Sequence, residues 1–87
     1  MTMSRYKNLN RNSSIVGFEI FSSHIDVLFN DRSLYRYDYH LTGMEHVEEM
    51  KFLAERGYGL CGYIQRFVRK RYAKKSISFA HINFIVA

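Results

Sequence analysis

At 87 residues the chain holds one domain and leaves no room for a second core. Apolar residues make up 47 %, enough for a packed interior, and the longest apolar runs fall far short of the ~20 residues that span a bilayer. The formal charge of +5 is segregated: residues 1–18 carry +3 and no acid, residues 19–56 carry −4, and residues 57–87 carry +6 and no acid, a distribution that suits an anionic partner, either nucleic acid or an acidic protein surface, ahead of a membrane.

In chain order, residues 1–12 are polar and basic, with Arg5, Lys7 and Arg11, and read as a mobile arm that could wrap the same ligand as the rest of the chain. They lack the apolar segment of a signal peptide. In "SIVGFEI" Val16, Phe18 and Ile20 alternate, and in "HIDVLFN" Ile25, Val27 and Phe29 do the same. "FSSH" and "NDRS" supply turns between these segments and the next. "LYRYDYH" places Tyr35, Tyr37 and Tyr39 on one face and Arg36 and Asp38 on the other. The three segments read as an antiparallel meander.

Thr42, three residues before Glu45, has capping-box spacing. It predicts a helix from about Met44 to Arg56, with Val47, Met50, Leu53 and Ala54 as the apolar stripe and Gly57 as terminator. The glycines of "GYGLCG" bend the chain before a second helix, predicted over Tyr63–Lys75. In the last segment Ile77 and Phe79 alternate in one phase, and Ile82, Phe84 and Val86 in the other. A bulged strand and a docking tail both explain that switch. The expected fold is α+β: a three-stranded antiparallel β-meander followed by two helices packed on one face, with an extra C-terminal strand as an option. Residues 1–12 form the arm, 13–75 the domain and 76–87 the apolar strand or tail.

Two features carry binding chemistry. On the predicted second helix Ile64, Phe67, Val68 and Tyr72 fall on one side, and Arg66, Arg69, Lys70 and Lys74 on the other. Arg71 lies at the boundary and Lys75 at the end. A helix C-terminus favours some of this charge. No acid within residues 57–87 can form local pairs, however, so the cations repel one another unless an outside anion neutralises them. A polyphosphate would do so. Tyr35 and Tyr37 could stack on unpaired bases. They could equally be core residues with their hydroxyls at the rim, and that is the leading reading of the pair.

Catalytic and metal chemistry has little support. Of His24, His40, His46 and His81 no two are spaced i,i+4, and a single Cys leaves no zinc spacing. Cys61 could pair with His46 or His40 as a nucleophile, but a lone cysteine is more often a small buried apolar residue. Glu45, Glu48 and Glu49 suit the positive end of a helix without acid–base chemistry. With one Cys no internal disulfide can form, which points to a reducing, cytoplasmic compartment. No enzyme activity, metal or cofactor is expected.

The ordered motifs from Ser13 to Tyr72 resemble the small domain family named after the lysyl-tRNA synthetase C-terminus, the KTSC domain. Ser13-Ser14-Ile15-Val16-Gly17 matches its start, Phe29-Asn30-Asp31 its turn and Tyr35-Arg36-Tyr37 its central Tyr-x-Tyr. Tyr63, Ile64, Gln65, Val68, Arg69 and Tyr72 occupy the places of its closing pattern, with Gln65 where the family has Asn. The segment His40–Gly43 lacks the family's Val-Pro, and "GYGLCG" is longer than the family's linker. The resemblance implies a non-enzymatic module, for which RNA binding is the common suggestion. On both grounds the expected nucleic-acid contacts are Arg66, Arg69, Lys70, Arg71, Lys74, Lys75, Tyr35 and Tyr37. The alternative is a protein-interaction module, such as a phage-type inhibitor that docks on a larger host complex. A homodimer through the C-terminal segment fits either.

Overall fold

The computed structural model describes residues 2–79 and 81–85. Their order is β1 (Thr2–Arg5), β2 (Ile15–Ile20), β3 (His24–Phe29), β4 (Ser33–Asp38), a π-helical turn (Tyr39–Gly43), α1 (Met44–Arg56), α2 (Leu60–Tyr63, continued by a π-helical segment over Ile64–Val68), β5 (Lys74–Ile77) and β6 (Asn83–Ile85). The class is α+β, a six-stranded mixed sheet with two helices.

The alternating segments form the centre of the sheet, where β2, β3 and β4 pair antiparallel in sequence. The expected meander is thus present as the middle of a wider sheet of order β5-β4-β3-β2-β1-β6. The meander's turns close as "FSSH" and "NDRS" suggest. Phe21 N donates to His24 O at 2.9 Å, and Ser33 N donates to Asp31 Oδ1 at 2.9 Å. Register then sorts the two faces. Phe18, Val27 and Tyr35 lie side by side on one, as do Ile20, Ile25 and Tyr37. Glu19, Asp26, Arg36 and Lys74 form a charged row on the other.

The apolar stripe of α1 covers the first face. Val47, Met50, Leu53 and Ala54 join Ile15, Phe18, Ile25, Val27 and Tyr37 in one buried cluster, which Leu60, Ile64 and Val68 complete from the second helix. Burying each of the larger aliphatic side chains among them contributes about 1.5–3 kcal/mol. Gly57 ends α1 with φ 87° and its N–H on Leu53 O, a left-handed close that a side chain would strain.

Four sequence expectations change. The N-terminal arm is in part a strand, because β1 pairs with β2 and Tyr6 enters the core cluster. Thr42 does not cap α1. Its sealed hydroxyl donates to Arg71 O at 2.6 Å, and Gly43 stands at the cap without a side-chain bond. The second helix stops near Val68 rather than Lys75. With the Arg71 carbonyl held by Thr42, Ala73 N donates to Arg36 O at 2.7 Å, and the chain passes into β5. Finally, the phase switch in the last segment marks two strands on opposite edges of the sheet. β5 runs antiparallel to β4, and β6 runs parallel to β1 with Phe84 beside Met3. Val86, the end of the second alternation, lies outside the described residues.

Candidate functional site

The C-terminal cations all remain exposed, but the fold sends them in different directions. Arg69 and Lys70, in the turn after the second helix, stand at the rim of a cleft of about 540 Å³ between that helix and the β3–β4 end of the sheet. Strand alternation aims Lys75 to the same side, with Nζ 5.3 Å from the Tyr35 ring centre. Its bond to Tyr35 holds its ammonium above the ordinary range. Lys74, one residue earlier, faces the opposite side beside Arg36. Arg66 turns toward α1, over the Phe67 ring and near Glu49 and Arg56. The continuous stripe expected of Arg66, Arg69, Lys70 and Lys74 is therefore divided, because the helix that would align them ends before Lys74. Arg71 stays at the turn with its carbonyl bound by Thr42. Among the described residues, ion pairs join Arg36 to Asp26 and Lys51 to Glu48, and none of these six cations takes part in one.

Aromatic side chains wall the cleft. Tyr35 stacks on Tyr37, with ring centres 6.2 Å apart and planes 13° from parallel. It meets Phe29 edge-on at 5.4 Å and Tyr72 edge-on at 5.1 Å. The two tyrosines differ in access. Tyr35 is half-buried, whereas Tyr37 is 1 % exposed, so its ring is core and cannot serve as a stacking platform. The expectation that Tyr37 stacks on a base is corrected accordingly. Burial, with Tyr35, Tyr72 and Cys61 nearby, pushes its phenol well above the ordinary value. Tyr39, the third of the ladder, donates its hydroxyl to Glu48 at 2.6 Å, and Glu48 also holds Lys51.

Polar groups complete the lining: Ser14, Asn30, Asp31, Ser33 and Gln65. Backbone and side-chain bonds from Ser33 hold the Asp31 carboxyl below its usual range, so it is ionised at neutral pH. Cys61 Sγ lies 3.9 Å from Ser14 Oγ, and His46 Nδ1 lies 2.7 Å from the Tyr63 hydroxyl. Among the described residues no bond joins Cys61 to His46 or to His40.

The sequence reading missed that the cations belong to a recess rather than to a helix face. Its best signal lay in the ordered motifs, since Ser14, Phe29, Asn30, Asp31, Tyr35, Tyr37, Ile64, Gln65, Arg69 and Tyr72 all line this one cleft. Among the described residues no helix is long and apolar enough to cross a membrane. No family model matches the chain, and neither a curated protein nor a solved structure matches it.

Proposed function

We propose that the protein is a non-enzymatic module that binds nucleic acid, RNA foremost, at the basic rim of the cleft. The observation that carries this reading is the exposed cluster Arg69, Lys70 and Lys75, free of ion pairs, around an aromatic-walled recess. Exposed cations without acid partners suit a phosphate backbone, which binds them while releasing its counterions. Arg71, in the same turn, adjoins this contact, whereas Arg66, turned toward α1, lies apart from it. Lys74, on the opposite face, contributes least. The resemblance to the KTSC family leans the same way. Filter binding of single-stranded RNA across salt tests the proposal. With three phosphate contacts, affinity falls by about tenfold or more between 50 and 200 mM salt. An affinity unchanged over that range overturns it.

A second reading rests on the sheet edge. β5 is an outer strand, Ile77 on it is exposed, and Phe79 just beyond it is 86 % exposed. Open edges with apolar side chains take up other chains, so β5 could dock on a larger protein complex or on a second copy. Pull-down from lysate with and without nuclease separates the readings. Partners lost on nuclease treatment support RNA, and partners retained support protein docking.

A further inference from the structure

Burial of Tyr37 raises a question of hydrogen bonding that the fold leaves open. Among the described residues nothing bonds its hydroxyl, although the side chain is 99 % covered. A buried phenol ordinarily finds a partner, because an unmet polar atom is costly in a low-dielectric interior. Among the described residues the side-chain atom both sealed from solvent and unbonded is His24 Nε2, not the Tyr37 oxygen. The hydroxyl therefore keeps a small opening, and the cavity that Tyr37 lines is the cleft. It is a polar group on the floor of a recess.

The lining narrows what the recess can take. An inorganic anion would need the cations and make no use of Phe29, Tyr35, Tyr72 and Ile64. A purely apolar ligand would leave the Asn30 and Gln65 side chains without a task. A planar, polar-edged ring with an attached phosphate uses both sets. Amide and carboxylate side chains bond base edges, aromatic rings accept base faces, and cations hold the phosphate. A volume of about 540 Å³ lies within the range of small-molecule sites. A paired duplex, by contrast, presents only its sugar–phosphate exterior to a recess of this kind.

We propose that the cleft receives one unpaired nucleotide, its base against Tyr35 and Tyr72 with its edge toward Asn30, Gln65 and the Tyr37 hydroxyl, and its phosphate at Arg69 and Lys70. The proposal rests on the nucleic-acid reading above and gives it a strand preference, for single-stranded over double-stranded RNA.

The test compares a fluorescein-labelled ten-nucleotide RNA with a blunt duplex of the same length, at low salt. The single strand binds more tightly by about tenfold. The double variant Asn30→Ala/Gln65→Leu changes exposed side chains, so it keeps the fold, and it lowers single-strand affinity by about fivefold while leaving duplex affinity unchanged. Tyr37→Phe removes a hydroxyl that nothing among the described residues bonds, so it too folds and weakens the single strand selectively. Equal binding of the two RNAs, or a double variant that weakens neither or weakens both alike, overturns the nucleotide pocket. The rim reading survives that result if Arg69→Gln/Lys70→Gln weakens both RNAs. If wild-type protein binds neither RNA, both proposals fail.

Discussion

Arg36 and Arg69 belong to regions that use charge in opposite ways. On the face of the sheet opposite α1 Arg36 grips Asp26 with two bonds, Nε to Oδ1 at 2.9 Å and Nη2 to Oδ2 at 3.1 Å. Asp26 is 4 % exposed, so this pair neutralises a carboxylate that would otherwise be buried alone. At the cleft, Arg69, Lys70 and Lys75 face solvent, and the nearby acid, Asp31, is occupied with Ser33. A charge paired across strands serves the sheet. Arg69 and Lys70, at an open rim, have no such acid partner among the described residues.

That contrast can be broken from either side. Asp26→Ala should have the largest effect on the fold. Losing one partner of a buried pair costs about 3–5 kcal/mol. Here the Arg36 side chain is 40 % exposed and can turn to water, so the expected loss is nearer ~2 kcal/mol, discounted for solvent screening. For a domain of this size that is a fall of about 10 °C in Tm, read by thermal circular dichroism. An unchanged Tm would put the pair and the rim in the same class.

The triple variant Arg69→Gln/Lys70→Gln/Arg71→Gln should do the reverse. Stability stays within about 0.5 kcal/mol, as for other surface substitutions. RNA affinity at low salt falls by about tenfold or more, with a shallower salt slope in filter binding. A variant that unfolds would show that these cations do structural work after all.

Alkaline pH probes the covered face, where Tyr6, Tyr37, Tyr39 and Tyr63 are all held above the ordinary phenol value. Burial is the main cause for Tyr6, Tyr37 and Tyr63, and the bond to Glu48 for Tyr39. In the unfolded chain these phenols ionise near pH ~10, while the folded state keeps them neutral. Their contribution is therefore complete below about pH 10 and is lost as pH rises toward the folded values, with Tyr37, the most deeply covered of the four, carrying most of it. Melting curves from pH 8 to 11 should fall on the alkaline side, and Tyr37→Phe should flatten them. A wild-type curve level to pH 11 would contradict the burial of Tyr37.

The smallest effect is expected from Gly17→Ala. A Cβ there would come within 2.7 Å of Phe84 Cε1, so the ring and β6 must move, at a cost of about 1 kcal/mol. Hydrogen exchange should speed up in β6 while RNA binding stays unchanged. A loss of binding would mean that the two sides of the molecule are coupled.

Local pattern was enough for β3, β4 and α1, and for β2 except that a bulge between Ile15 and Gly17 puts Ile15 rather than the expected Val16 beside Phe18 in the core. Strand alternation and turn chemistry act between neighbours, and the Val47-Met50-Leu53-Ala54 stripe with Gly57 is complete within one segment. The second helix was misjudged because its end depends on residues far along the chain: Thr42 takes the Arg71 carbonyl, and Arg36 takes the Ala73 amide. The cleft was hidden for the same reason. Its residues come from the stretch before β2, the β3–β4 turn, β4 and the second helix, and no window of sequence holds them together.

By itself the sequence determined the fold class, the central meander, the first helix and a surplus of positive charge after residue 57, because periodicity and composition are properties of the chain alone. Tertiary structure alone decided that β5 and β6 close opposite edges of the sheet, that Lys74 and Lys75 part to opposite faces, and that the Tyr37 ring is buried in the core at the floor of the cleft. Those outcomes turn on long-range hydrogen bonds and burial, which exist only once distant segments have packed.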